Sequence, residues 1–143
     1  MHMTIGSVAE QAGVGVETVR YYQRRGLIPV PPKAAAGFRH YPDETVARIR
    51  FIKRAQELGF SLVEIDELLS LRVSPEASCA DVQRRALSKI AELDRKIATV
   101  AAMREALVSL VTTCEEGTAS ATECPILEAL DEDLASTSRE SEQ

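Results

Sequence analysis

The chain has 143 residues, is 45% hydrophobic but only 4% aromatic, and carries a net charge of −5. That length allows one domain, or a small domain plus an extended helix. An abundance of Ala, Leu, Val, Glu and Arg favours helix. No apolar run reaches the roughly 18 residues of a membrane span, and no signal peptide is visible. Three cysteines without a secretory signal therefore point to reduced thiols in a cytoplasm, not to a disulfide framework.

Charge is divided along the chain. Residues 1–60 hold nine Lys/Arg against five Asp/Glu, and residues 61–143 hold eight against seventeen. A basic front and an acidic rear fit nucleic-acid contact confined to the front, although such a segment is equally well a solvated face.

Met1-His2 reads as a cloning remnant ahead of a start at Met3. Thr4 is a good N-cap, followed by Ile5, Val8, Ala9 and Ala12 at helical spacing and by Gly13 at the position of a C-terminal glycine. Val14-Gly15-Val16 makes a tight connection to a second short helix, Glu17 to Arg25, stopped by Gly26. Two short helices joined by a glycine-containing turn form the helix-turn-helix pattern. Leu27 to Phe38 holds Pro29, Pro31, Pro32 and Gly37, which predicts a β-hairpin or loop and is closed by Phe38-Arg39-His40-Tyr41. A third helix runs from Pro42-Asp43 to Leu58, with Val46, Ile49, Phe51, Ile52 and Ala55 on its inner side. Gly59 breaks it. Ser61 and Glu64 are spaced as a capping box for a fourth helix that ends near Leu71-Arg72.

After a linker over 73–78, Val82, Ala86, Ile90, Leu93, Ile97, Val100, Leu107 and Val111 recur at alternating threes and fours, the seam of a coiled coil. Arg104 interrupts it, and Met103 can substitute. Three residues before Val82 lies Cys79, and three after Val111 lies Cys114, so both thiols fall on the stripe. As one helix, 79–114 would be roughly 52 Å long. Cys79 and Cys114 of one chain could not then touch. They could meet only in an antiparallel pair, with Cys79 of one chain beside Cys114 and Cys124 of the other. The polar loop over 115–123 leads to Cys124-Pro125, which opens a short helix through Leu130. Residues 131–143 are acidic and Ser-rich, the composition of a disordered tail.

Within the second helix, Thr18, Arg20, Tyr21, Gln23, Arg24 and Arg25 offer groups able to reach bases and phosphates. The other reading, with Val19 and Tyr22 as core and the arginines merely solvated, stays open on the residues alone. No Ser/His/Asp set, Gly-rich phosphate loop or paired buried carboxylates points to an enzyme.

The strings "TIGSVAEQAGVGVETVRYYQRRGLI", "GFRHY" and "RFIKRAQELGFSLVEIDELL" closely resemble the MerR family of transcription regulators, over residues 4–130. The resemblance implies an all-α fold with a small β wing. A winged helix-turn-helix DNA-binding domain (3–72) and a linker (73–78) would precede a dimerisation helix (79–113). A metal-binding loop with a short helix (114–130) and a tail (131–143) would follow. It implies a homodimer on an antiparallel coiled coil, bound to double-stranded promoter DNA and acting on RNA polymerase, with no membrane. Arg20 and Tyr21 match the recognition-helix contacts, with Thr18 near the backbone. Arg39 and Tyr41 match the wing, and Lys53 a phosphate-contacting position. Arg54 is read as surface charge.

Cys79, Cys114 and Cys124 match the ligand cysteines of the family's metal sensors, and a cysteine heading the dimerisation helix resembles the sensors of divalent ions. The zinc-responsive relative adds a cysteine and a histidine. Here those places hold Glu115 and a His-free stretch, and His2 and His40 lie in the front half. Glu115, Glu116 and Glu123 are hard oxygen donors. Three thiolates suit a large soft ion, so Hg(II) leads, with Pb(II), Cd(II) and Zn(II) as alternatives. "KIAELDRKIATVAAMREALVSLV" and "CPILEAL" resemble the mercury(II)-responsive branch. The implied mechanism is repression by the apo dimer, then activation when metal capture distorts the DNA at a metal-resistance promoter. Rival readings are a thiol redox sensor pairing Cys114 with Cys124, a drug-binding regulator, for which too few residues follow Cys114, and a metal-sequestration protein.

Overall fold

The computed structural model describes residues 3–35, 37–114, 117 and 120–131. In chain order it contains α1 (Ile5–Ala12), α2 (Val16–Arg24), α3 (Glu44–Glu57), α4 (Leu62–Val73), α5 (Cys79–Thr112), a 3-10 turn at Ala121–Glu123 and a helical stretch at 125–131. The structure divides into two units, Met1–Lys89 and Ile90–Gln143, and the boundary falls within α5.

The first unit owes its form to local signals that agree with its burial pattern. Thr4 caps α1 by accepting from the Ser7 N–H at 3.3 Å. At Gly13, φ is +74°, a left-handed turn that suits glycine and closes the helix with bonds back to Ala9 and Glu10. Ser61 and Glu64 form the expected capping box on α4. Val8, Ala9 and Ala12 from α1, Val19 and Tyr22 from α2, Ile49 and Ile52 from α3, and Ile65 and Leu69 from α4 bury together, joined by Leu27, Ile28 and Tyr41.

Between α2 and α3 the expected hairpin is reduced to two isolated antiparallel bridges, Met3 with Tyr41 and Lys33 with Arg39. Pro29, Pro31 and Pro32 lack the N–H groups a continuous ladder needs. Phe51, assigned above to the inner side of its helix, is only half-buried. It lies under the Arg72 guanidinium, 5.6 Å from the ring centroid, at the edge of an apolar groove with Leu58, Phe60 and Val82.

In the second unit, α5 continues without a break to Thr112, and none of its residues from Ile90 onward is buried. Ile97 is 66% exposed and Val111 62% exposed. Met103 is exposed on the same stripe, in the place where Arg104 interrupts the spacing. A helix of 34 residues with an unpacked apolar stripe derives little stability from its own chain. The tail over 132–143 and Glu115, Glu116, Thr118 and Ala119 of the loop lie outside the described residues.

Candidate nucleic-acid interface and thiol positions

Burial of Val19 and Tyr22 fixes the rotation of α2. With those two side chains in the core, Arg20, Tyr21, Arg24 and Arg25 are exposed and Thr18 half-buried. The two readings of this helix are therefore compatible. Its outward groups also interact with each other. Arg20 pairs with Glu17 at 2.8 Å, an exposed contact of small energetic weight, and the Arg24 guanidinium lies 5.8 Å from the Tyr21 ring centroid.

Two side-chain bonds tie α2 to other elements. The Tyr22 hydroxyl donates to Gln56 Oε1 on α3 at 2.6 Å. Burial, with a smaller contribution from Tyr21, pushes the Tyr22 hydroxyl pKa up, so it remains a donor. On the wing side, Gln23 Nε2 donates to the Tyr41 hydroxyl at 2.6 Å. Tyr41 itself is 2% exposed, with its backbone paired to Met3. Its ring belongs to the core, and its hydroxyl fastens the wing to the recognition helix. Arg39 donates to the Pro31 carbonyl and borders a cleft with Thr4, Ile5, Arg20, Gln23 and Phe38.

Three basic residues of α3 each bind a backbone carbonyl of the helix-turn-helix. Arg48 reaches Leu27 at 2.6 Å, Arg50 reaches Gln11 at 2.7 Å, and Lys53 reaches Gly13 at 3.1 Å. Gln11 and Gly13 lie at the C-terminal end of α1, where carbonyls lack helical partners and the dipole favours cations. Of these residues, only Lys53 matches a position that the family resemblance indicates. Arg48 and Arg50 carry no motif, and only their positions in the folded unit identify them. Arg54 pairs with Glu57 at 3.3 Å on the surface.

The thiols sit at the ends of ordered segments. Cys79 is the first residue of α5 and is exposed. The Asp81 carboxylate accepts from the Ser78 N–H at 2.7 Å just before it, and that bond, aided by Arg84, lowers the Asp81 pKa. Cys114 stands two residues beyond α5, half-buried, with its N–H on the Val111 carbonyl at 3.1 Å. Cys124, also half-buried, precedes the 125–131 helix, and its backbone carbonyl accepts from the Glu128 N–H at 3.2 Å. All three are free thiols. Among the described residues, no three His, Cys, Asp or Glu side chains of the one chain gather into a metal site. His2, Glu115 and Glu116 lie outside those residues, Glu123 is exposed in the 3-10 turn, and His40 is exposed in the wing.

Two short helices with an outward basic face, a wing fastened to the second, and no helix among the described residues long and apolar enough to cross a membrane define a winged helix-turn-helix protein. Family models agree. "MerR HTH family regulatory protein" matches residues 3–71 and "MerR, DNA binding" matches 46–110. The chain belongs to the MerR family of DNA-binding transcription regulators and is not an enzyme. It is 44% identical over 130 residues to the mercuric resistance operon regulatory protein of Bacillus cereus, covering 91% of this chain and 98% of that one. Among solved structures, the transcription regulator PbrR691 of Ralstonia metallidurans in complex with lead(II) superposes with a TM-score of 0.80 at 34% identity, and the dual-function MerR of Bacillus megaterium in complex with mercury(II) with 0.70 at 39%. Both cover 90% of this chain and 98% of the relative.

Proposed function

We propose that this chain is a mercury(II)-responsive regulator of a metal-resistance promoter, acting as a homodimer. The observation that carries the reading is the course of α5, one unbroken helix from Cys79 to Thr112 with its apolar stripe exposed and Cys114 two residues beyond. A helix of 34 residues is about 50 Å long, so its two ends cannot share an ion. Antiparallel pairing of two copies covers the stripe and brings Cys79 of one chain beside Cys114 and Cys124 of its partner. Three free thiols, one exposed and two partly exposed, and no histidine in the sequence after His40 fit a soft ion. Likeness to a mercuric resistance regulator and to a mercury(II)-bound structure supports that choice.

In this reading Thr18, Arg20 and Tyr21 of the recognition helix, Arg39 of the wing and Lys53 of α3 contact promoter DNA. Tyr41 acts by holding Gln23 and the wing in place. The bound ion supplies a cross-link between two chains. The apo dimer represses, and the cross-linked dimer distorts the DNA so that RNA polymerase can use the promoter. Such a switch requires the ion to favour one conformation over the other, and the coupling must be reciprocal between DNA and ion.

The test is a titration of the reduced protein with mercury(II), lead(II), cadmium(II) and zinc(II) against excess small-molecule thiol, reading thiolate charge-transfer absorbance and metal per dimer. Mercury retained preferentially, and lost in Cys79→Ser while DNA binding persists, is the expected result. Full mercury activation by Cys79→Ser would remove the cross-chain site. A lead(II) sensor is the second reading, favoured by the 0.80 superposition on a lead(II) complex; preferential lead retention would select it.

A further inference from the structure

We infer that Lys89 is a positioning residue of the ion switch: by fixing the first part of α5 on α4, it makes Cys79 move together with the recognition helix. The inference rests on the cross-chain ion site proposed above and names the side chain that carries ion capture into the DNA-binding unit.

Cys79 opens α5 and belongs to the first unit, which ends at Lys89; Cys114 and Cys124 belong to the second. Cys79 and Lys89 are about 15 Å apart along the helix axis. A thiol so placed moves the DNA-binding unit only if this stretch of helix is fixed to it. Apolar contact does not fix it, since Val82, Ala86 and Leu87 are all exposed. Polar contact does. Lys89, the buried residue of α5, donates through Nζ to Glu64 Oε1 on α4 at 2.8 Å, and its ammonium lies 5.5 Å from the Phe60 ring centroid. One turn earlier, Arg85 pairs with Glu67.

The two pairs run in opposite chain directions, Glu64 with the later cation and Glu67 with the earlier one. One turn of each helix thus carries two matched pairs, and sliding α5 by a residue would break both. Polar pairs set register in this way where apolar surface tolerates slippage. Helix α4 in turn buries Ile65 and Leu69 in the core that holds Val19 and Tyr22 of α2. When an ion shared with the partner displaces Cys79, the clasp makes α4 and the recognition helix follow. Without it, α5 pivots on α4, and the ion binds with no differential effect on the DNA-bound conformation.

The experiment measures mercury(II) affinity of the reduced full-length protein by thiol competition, free and on a duplex that the protein itself selects from a random-sequence pool. In wild type the two affinities should differ by about fivefold or more. In Lys89→Met that ratio should fall towards one, while mercury(II) affinity off DNA, apo affinity for the duplex and thermal melting stay near wild type. Glu64→Gln, which keeps an acceptor for both Lys89 and the Ser61 N–H, should give an intermediate ratio. A wild-type ratio in Lys89→Met would overturn the inference and leave the cross-chain site intact. Loss of apo DNA binding, of mercury(II) affinity off DNA or of melting temperature in Lys89→Met would also overturn it, because the residue would then act through folding. If wild type itself shows equal affinities on and off DNA, or Cys79→Ser keeps the full ratio, the switch reading fails and this inference falls with it.

Discussion

Lys89, 5% exposed and the only buried residue of α5, donates through Nζ to Glu64 Oε1 at 2.8 Å, and the ammonium lies 5.5 Å from the Phe60 ring centroid. Glu64 is also the capping-box residue of α4, so one carboxylate serves the start of α4 and the first third of α5 together. Beside it, Arg85 of α5 pairs with Glu67 of α4. Lys89 is buried while the Glu64 side chain is 39% exposed, so the pair is only partly desolvated and its net contribution is modest. Glu64→Ala should cost about 2 kcal/mol, combining the lost cap with the lost charge-assisted bond to Lys89. Lys89→Met, which substitutes an apolar chain of similar length, should cost under about 1 kcal/mol. Urea denaturation of both variants checks the order; equal losses would contradict it.

The same bond sets a pH dependence. Donation from Lys89 first, and from the Ser61 N–H second, holds the Glu64 carboxyl at about 2, against an ordinary value of 4.5. A depressed folded pKa contributes stability fully above the unfolded value and loses it as pH falls towards the folded one. The stability difference between wild type and Glu64→Gln should be constant above about pH 5. It should shrink through the range below 4.5 and vanish near 2. Unfolding midpoints measured across that range test it, and a difference growing on acidification would reverse the sign.

Pairing of two copies along α5, as proposed, would make its stripe sensitive to charge. Ile97→Glu would place one carboxylate per chain in the centre of the seam, where desolvation opposes it. The expected outcome is a shift from dimer to monomer in analytical ultracentrifugation and a loss of helical signal, since no α5 residue from Ile90 onward is buried in the single chain. A variant still dimeric at micromolar concentration would place the interface elsewhere.

A site shared between chains predicts complementation. A Cys79→Ser chain and a Cys114→Ser/Cys124→Ser chain should each fail to retain mercury(II) alone. Mixed, they should form heterodimers with one complete three-thiol site and one with none, binding one ion per heterodimer in competition with small-molecule thiol. No recovery on mixing would mean that each site is built within a chain.

Much of the first unit is legible without coordinates, because its signals are local. Thr4, Gly13, Ser61 and Glu64 end or begin helices through bonds within four residues of themselves, and Val19 and Tyr22 mark the inward face of α2 by spacing. The bonds from Gln23 to Tyr41, from Tyr22 to Gln56, and from Arg48 and Arg50 to distant carbonyls were not legible. They join residues 18 to 39 positions apart, and no periodicity encodes them.

The sequence by itself determined the helices, the family and the placing of Cys79 and Cys114 at the two ends of one apolar stripe, because spacing and caps are properties of the chain. Only the tertiary structure decided that Tyr41 is core rather than exposed, that Phe38 is exposed, and that Lys89 is the buried residue of α5. The physical reason is that burial depends on which distant elements pack over a side chain. A tyrosine and a phenylalanine three residues apart on the same wing look alike until Met3, bridged to its backbone, and Gln23, bonded to its hydroxyl, engage the tyrosine and leave the phenylalanine open.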